Sequence, residues 1–397
     1  MKHAIRLFAF LLALAAALPA PQAQQRPEPI ISPEVATDHR VTFRIRAPKA
    51  TEVLVTASMG PNNPKPPGTV KDQPGQWTMP MQKSPDGLWT LSVGPLEPEI
   101  YRYAFLIDGV RALDLANHNI SAGGAIPWSY FEVPGEPPRF DEVRDVPHGS
   151  IQLRSYRVSE TKELHTVAIY VPPDYDRDPR ARFPVLYLFH GGGDSQEGWS
   201  RLGHVAAIQE NLLAAHKARP MLVVMPYGDI DGDATALPAI EAFGRELFDD
   251  VMPIVEKNYR VQADREGRAI AGLSMGAGQS FTLGLRNLDK FAWVAEFSAG
   301  AFASPKFDLE TQVPGLLKDP AAVNRRLKLL FLGVGTEDTR YPGHLKLVDL
   351  LQKSGIHSEF HTTPGEHEWK AWRHLLAELM PKLFQPAGKY SARDREP

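Results

Sequence analysis

The sequence predicts an α/β fold, a mainly parallel sheet covered by helices on both faces, preceded by an all-β sandwich. Two changes of texture carry that expectation. From about residue 38 to 133, short segments alternate apolar and polar residues between turns, and no helical period appears. From 149 onward, apolar runs of strand length alternate with helical segments, as in parallel sheets buried on both faces. The 397 residues are 43% hydrophobic and 23% charged, an ordinary globular balance with enough apolar mass for a large core.

In the front part, Val41 to Arg46 alternates with period two, Ser84-Pro85-Asp86-Gly87 is a turn, and Tyr101 to Ile107 is a strand closed by Asp108-Gly109. An immunoglobulin-like sandwich over 38–133 follows, with the Pro-rich and charged stretch 134–148 as linker. In the second part, 149–386, strands are expected at 165–171, 184–189, 221–225, 268–273, 293–297, 328–333 and 358–362. Helical segments are expected near 202–216, 239–257, 275–287, 342–354 and 369–384, and 387–397 is a tail.

The start reads as an export signal over 1–23. Lys2 and Arg6 precede the apolar run Phe8 to Leu18, and cleavage is expected near Ala20 or Ala23. The run is too short to span a bilayer, so no membrane attachment is expected after cleavage. Residues 24–37 read as a flexible lead-in. The chain has no cysteine, which excludes disulfides and thiolate chemistry and suits bacterial export to the periplasm or beyond. A formal charge of −3 offers no basic footprint for nucleic acid.

Residues 268–278 read as a short buried strand, then Gly272-Leu273-Ser274-Met275-Gly276, then a helix. This Gly-x-Ser-x-Gly pattern places a serine on a sharp strand-to-helix turn above the sheet, the nucleophile elbow of α/β-hydrolases. The glycines allow neighbouring backbone to approach, and the helix N-terminus favours developing negative charge. Ser274 is therefore the candidate nucleophile. The strand 184–189 ends in His190-Gly191-Gly192-Gly193. An acyl-transfer site needs amides fixed on the carbonyl oxygen. The amide of Met275 is one candidate, and that of Gly192 or Gly191 another. His190 precedes the nucleophile and is expected to hold this loop, with a substrate contact as its alternative, and Trp199 is a candidate aromatic contact for substrate. The acid and base should follow the serine in that order. Asp338, preferred over its neighbour Glu337, lies at the carboxyl end of a buried strand, and His367 lies on the loop between the last strand and last helix. His361 and His374 read as packing or surface residues, and His344 and His357 carry no special context. No metal or organic cofactor is expected, since no metal-binding spacing appears.

These motifs carry a resemblance. The stretch from about 150 to 386 resembles the esterase D-like enzymes, including carbohydrate esterase family 1 feruloyl and acetyl xylan esterases and the enterochelin esterases. The likeness rests on Phe189 to Asp194 with Trp199, Val224-Met225-Pro226, Ala269 to Gly276, Gly335 to Asp338, and Gly365-Glu366-His367. It implies Ser274, Asp338 and His367 as the triad. Ala277 departs from the pattern, in which many relatives carry a glycine, and should slightly narrow the helix–strand approach. The front part is similar to the early-set sandwich of family 48 carbohydrate-binding modules, through Val41 to Pro48 and Asp86 to Trp89 with Tyr101 to Tyr103. Trp77, Trp89, Tyr101, Tyr103, Trp128 and Tyr130 are either sugar platforms or sandwich core, and their alternation favours core. Together these features imply a secreted serine ester hydrolase acting on feruloyl or acetyl esters of plant cell-wall polysaccharide. The alternatives are a siderophore trilactone esterase, which basic residues such as Arg201, Arg245 or Arg340 at the pocket mouth would favour, and a catalytically silent glycan-binding protein. Oligomeric state is not legible.

Overall fold

The computed structural model describes residues 29–60, 63–73, 76–121, 127–228, 236–304 and 307–385. The expected leader over 1–23 and the tail 387–397 lie outside the described residues.

Two antiparallel sheets form the front part. One runs in the order Glu34–Val35, Val41–Arg46, Leu88–Val93, Gln82–Lys83. The other runs Ile120–Ser121, Trp128–Val133, Glu99–Ile107, Val53–Ser58, Gln76–Pro80, Val70–Gln73. Alternate residues of both, such as Val41, Phe43, Val55, Tyr103 and Phe131, form one buried cluster between them. The lead-in is tighter than expected. Glu34 and Val35 pair with Thr42 and Val41, and the buried Ser32 hydroxyl donates to Asp114 at 2.6 Å.

The second part is built on eight strands: β1 (Ser150–Arg157), β2 (Leu164–Val171), β3 (Val185–Phe189), β4 (Leu222–Met225), β5 (Arg268–Gly272), β6 (Trp293–Phe297), β7 (Leu329–Gly335) and β8 (Glu359–Thr363). Their order is β1-β2-β4-β3-β5-β6-β7-β8, with antiparallel pairing of β1 to β2 and of β2 to β4 and parallel pairing from β4 onward. β1 was not expected. It is an edge strand whose residues are exposed except Tyr156, so it lacks the apolar run that betrays the others.

Along β3, Val185, Tyr187 and Phe189 point to one face and Leu186 and Leu188 to the other. The first face is covered by α2 (Leu237–Glu246), α3 (Met275–Arg286) and α4 (Tyr341–Lys353), the second by α1 (Val205–Ala214) and α5 (Trp369–Leu379). The helix expected over 239–257 is interrupted. After α2 it widens into a π-helical turn at Leu247–Val251 before resuming at Met252–Asn258. Pro253 follows that turn, and a proline supplies no N–H and crowds the carbonyl four residues back, which the wider turn relieves.

The two parts are clamped together. Ile100 of the front sandwich belongs to the buried cluster on the α1–α5 face. Arg373 of α5, 1% exposed, pairs with Glu99 of the sandwich and with Asp141 of the connecting segment. Asp141 also accepts from Arg139 Nε at 3.0 Å, and Asn211 of α1 donates to the carbonyls of Phe140 and Glu142. The segment 134–148 is thus pinned on both sides.

Candidate active site

Ser274 lies between β5 and α3 with φ 53°, a region that side-chain-bearing residues adopt only when the surroundings impose it. Its amide donates to the Phe297 carbonyl at 2.8 Å, which ties the turn to β6. The motif glycines are sites of close approach. A Cβ on Gly276 would lie 2.7 Å from Phe189 Cβ and 2.9 Å from the Phe189 carbonyl carbon, and one on Gly272 would strike the Gly276 carbonyl. Ala277 is fully buried in the cluster beneath α3.

Asp338 lies just past β7, its side chain fully buried. His367 lies on the loop from β8 to α5. The chain brings these to Ser274. His367 Nε2 is 2.9 Å from Ser274 Oγ, and His367 Nδ1 is 2.8 Å from Asp338 Oδ2. A carboxylate only accepts, so Nδ1 carries the proton and Nε2 faces the hydroxyl with its lone pair. The other carboxylate oxygen, Oδ1, accepts from the Arg340 amide at 2.9 Å and from Arg340 Nη1 at 3.3 Å. Burial pushes the Asp338 carboxyl up, but the His367 hydrogen bond and charge and the Arg340 contacts outweigh it and hold it at about 2. For His367 burial prevails over the pull of Asp338, so its pKa is lowered and the free imidazole is neutral near pH 7. Trp372 of α5 meets the His367 ring edge-on at 4.8 Å and donates from Nε1 to Ser298 Oγ at 3.2 Å.

Met275 opens α3, so its amide is one of the unsatisfied donors at the helix N-terminus. Gly191 packs against Leu273 and Ser274, while among the described residues a Cβ on Gly192 would have only Met275 Sδ within reach, at 4.0 Å. His190 is 1% exposed. Its Nδ1 donates to the Gly191 carbonyl at 2.8 Å and its Nε2 accepts from the Gly228 amide at 3.0 Å. It holds the glycine loop, and its burial removes the alternative of a substrate contact. Trp199 requires a correction as well. It is 1% exposed, donates from Nε1 to the Phe189 carbonyl at 2.9 Å, and packs edge-on against Phe297 and Trp369. It props the loop from behind and offers no face to a ligand.

Of the front aromatics, Trp89, Tyr101 and Tyr103 are sandwich core. Trp77 packs against that core, while Trp128 and Tyr130 are half-buried. Two arginines lie over the Trp128 ring, Arg111 at 3.7 Å and Arg102 at 5.2 Å. A cavity of about 260 Å³ lies where the sandwich meets the His367 loop. Its walls include Glu97, Arg102, Glu366, Glu368 and Lys370, and Ser274 is not among them. The three arginines considered for anion binding are each engaged: Arg201 with Glu197, Arg245 with Glu160, and Arg340 with Asp338.

Two contributions were not foreseen. Glu337, expected as a plain surface carboxylate, is exposed but accepts from the Gly365 amide, tying the Asp338 loop to the His367 loop. His344, read as carrying no special context, is fully buried against Glu296. No local pattern announces either, because the partners are distant in sequence.

Comparison with known proteins agrees with this architecture. The family model Esterase, described as "Putative esterase", matches residues 159–383. The chain is 31% identical over 363 residues to an endo-1,4-beta-xylanase/feruloyl esterase of Xylanibacter ruminicola, covering 89% of this chain and 46% of that protein. It is 28% identical over 247 residues to an esterase of Mycobacterium tuberculosis, covering 51% of this chain and 52% of that one. The chain thus spans about half the length of these curated relatives. Among solved structures, an enterobactin esterase of Shigella flexneri superposes with TM-score 0.61 at 17% identity, over 87% of this chain and 93% of that one. A ferulic acid esterase of Anaeromyces mucronatus superposes with TM-score 0.52 at 22% identity, over 61% and 93%. With the strand order, the serine turn and the family match in agreement, the chain belongs to the esterase family, of the α/β-hydrolase type.

Proposed function

We propose that the chain hydrolyses carboxylic esters through an acyl-enzyme on Ser274. The observation that carries this reading is the continuous hydrogen-bond path from Ser274 Oγ through the His367 ring to Asp338. His367 takes the hydroxyl proton as Ser274 attacks the ester carbonyl, and Asp338 stabilises the imidazolium. The amides of Met275 and Gly192, with Gly191 as the alternative second donor, hold the oxyanion. His367 then protonates the leaving alcohol and deprotonates the water that releases the acid.

For substrate we propose feruloyl or acetyl esters of plant cell-wall polysaccharide, met outside the cytoplasm by an exported protein. The support is the likeness to the Xylanibacter ruminicola xylanase/feruloyl esterase, which runs through both the sandwich and the esterase part. A siderophore trilactone is the weaker reading. Its anionic iron chelate needs free positive charge, and Arg201, Arg245 and Arg340 are each paired with a carboxylate.

The test is hydrolysis of methyl ferulate, acetylated xylan, p-nitrophenyl acetate and an iron-loaded catecholate trilactone, with Ser274→Ala as control. Ferulate or xylan-acetate turnover, abolished in Ser274→Ala while the fold is kept, is expected. Residual esterase activity in that variant would remove Ser274 from its role, and preference for the trilactone would replace the substrate class.

A further inference from the structure

His344 on α4 and Glu296 on β6 are both fully buried. The imidazole Nε2 lies 3.2 Å from Glu296 Oε1, and Nδ1 lies 2.9 Å from the Arg340 carbonyl oxygen. A carbonyl oxygen only accepts, so Nδ1 carries a proton. Glu296 Oε2 accepts the Ala299 amide at 3.0 Å and lies 3.3 Å from the same Nε2. Both ring nitrogens of His344 thus face oxygen atoms. Burial alone would strip its proton, but the charge and hydrogen bond of Glu296 outweigh that and raise its pKa above 6.5.

The acyl-transfer steps do not use this pair, yet it touches the turn that carries the acid. The Arg340 carbonyl held by His344 belongs to the same residue whose amide and guanidinium donate to Asp338 Oδ1. We propose that Glu296 and His344 are positioning residues for Asp338: they anchor the Asp338–Tyr341 turn to β6 so that Oδ2 faces His367 Nδ1. This rests on the triad reading above. The charged groups facing His344 are Glu296 from β6 and Asp338 from the turn, while the Phe302 ring covers it edge-on at 5.2 Å. The charge of His344 also reaches His367, where it adds to the lowering of the pKa that burial begins.

The experiment is the pH dependence of p-nitrophenyl acetate hydrolysis by wild type, His344→Gln and Glu296→Gln, with Glu256→Gln, which opens the remote pair to Arg268, as a control. Both variants should lose about tenfold or more in kcat with KM nearly unchanged, because a displaced acid misaligns the base without touching substrate. In His344→Gln the acid limb of kcat/KM should move to higher pH, since a positive charge near His367 is gone. A purely structural pair would lower the melting temperature and leave that limb in place. Should one variant fail to fold, the other decides. A folded variant with wild-type kcat and acid limb overturns the proposal. Fluorophosphonate labelling of Ser274 in the wild type tests the triad separately, and its absence would sink that reading instead.

Discussion

Replacing Gly276 by alanine should disable the enzyme more than it unfolds it. The added Cβ would sit 2.7 and 2.9 Å from two carbons of Phe189, and would also strike the His190 carbonyl. Carbon atoms in contact prefer about 3.5–4.0 Å, so the overlap approaches 1 Å. Two of the obstructing atoms are backbone of the loop beginning the glycine run, which cannot swing aside as a side chain would. Either α3 or that loop must move by most of the overlap. The first carries Ser274 and the Met275 amide, and the second precedes Gly191 and Gly192, so the nucleophile and its amides part. A displacement of about 1 Å costs on the order of 100-fold in rate, whereas overpacking costs about 1–3 kcal/mol of stability. Gly278, two residues along the same helix, is the control. A Cβ there meets nothing within 4 Å, so Gly278→Ala should gain about 0.8–1 kcal/mol from helix propensity and keep its activity. The assay is kcat/KM on p-nitrophenyl acetate beside a urea melt for each variant. If Gly276→Ala retains wild-type kcat/KM, the close approach is not what fixes the serine, and the reasoning fails.

Other expectations follow from the same geometry. Asp338→Asn should keep the fold and lose about 10⁴-fold in kcat, because an amide can hold the wrong imidazole tautomer and cannot stabilise the imidazolium; steady-state kinetics checks it. The acid limb of kcat/KM should lie below pH 6.5, since burial lowers the His367 pKa and its neutral form is the base; a limb above that value would contradict the lowering. Asp141→Asn should destabilise the protein by about 3–5 kcal/mol, leaving the buried Arg373 and its neighbour Arg139 short of a countercharge; a urea melt reads it, and a change under about 1 kcal/mol would show that water relieves the site.

Much of the fold was legible because the information is local. Six of the sheet's strands are apolar runs whose length and flanking turns reveal them, and the Gly272–Gly276 motif carries its own geometry in the glycines. Asp338 and His367 were legible through chain order and loop position. The edge strand β1 was hidden because both its faces meet solvent, and the π turn before Pro253 because a single proline was absorbed without ending the helix.

Burial partners across the chain were not legible. Glu296 lies within an apolar strand and His344 on a helix, and nothing along the chain pairs them until the fold brings them into contact. Arg373 meets Glu99 only because the sandwich docks on α5, 274 residues away in sequence. Trp199 carries the same aromatic side chain whether it lines a cleft or props a loop, and packing against Phe297 and Trp369 alone decides for the prop. The layers, the strand-to-helix turn at Ser274 and the chain order of Ser274, Asp338 and His367 could be read locally, because each depends on neighbours along the chain. Which polar side chains are taken out of water could not, because desolvation is set by whatever the fold brings to the other side.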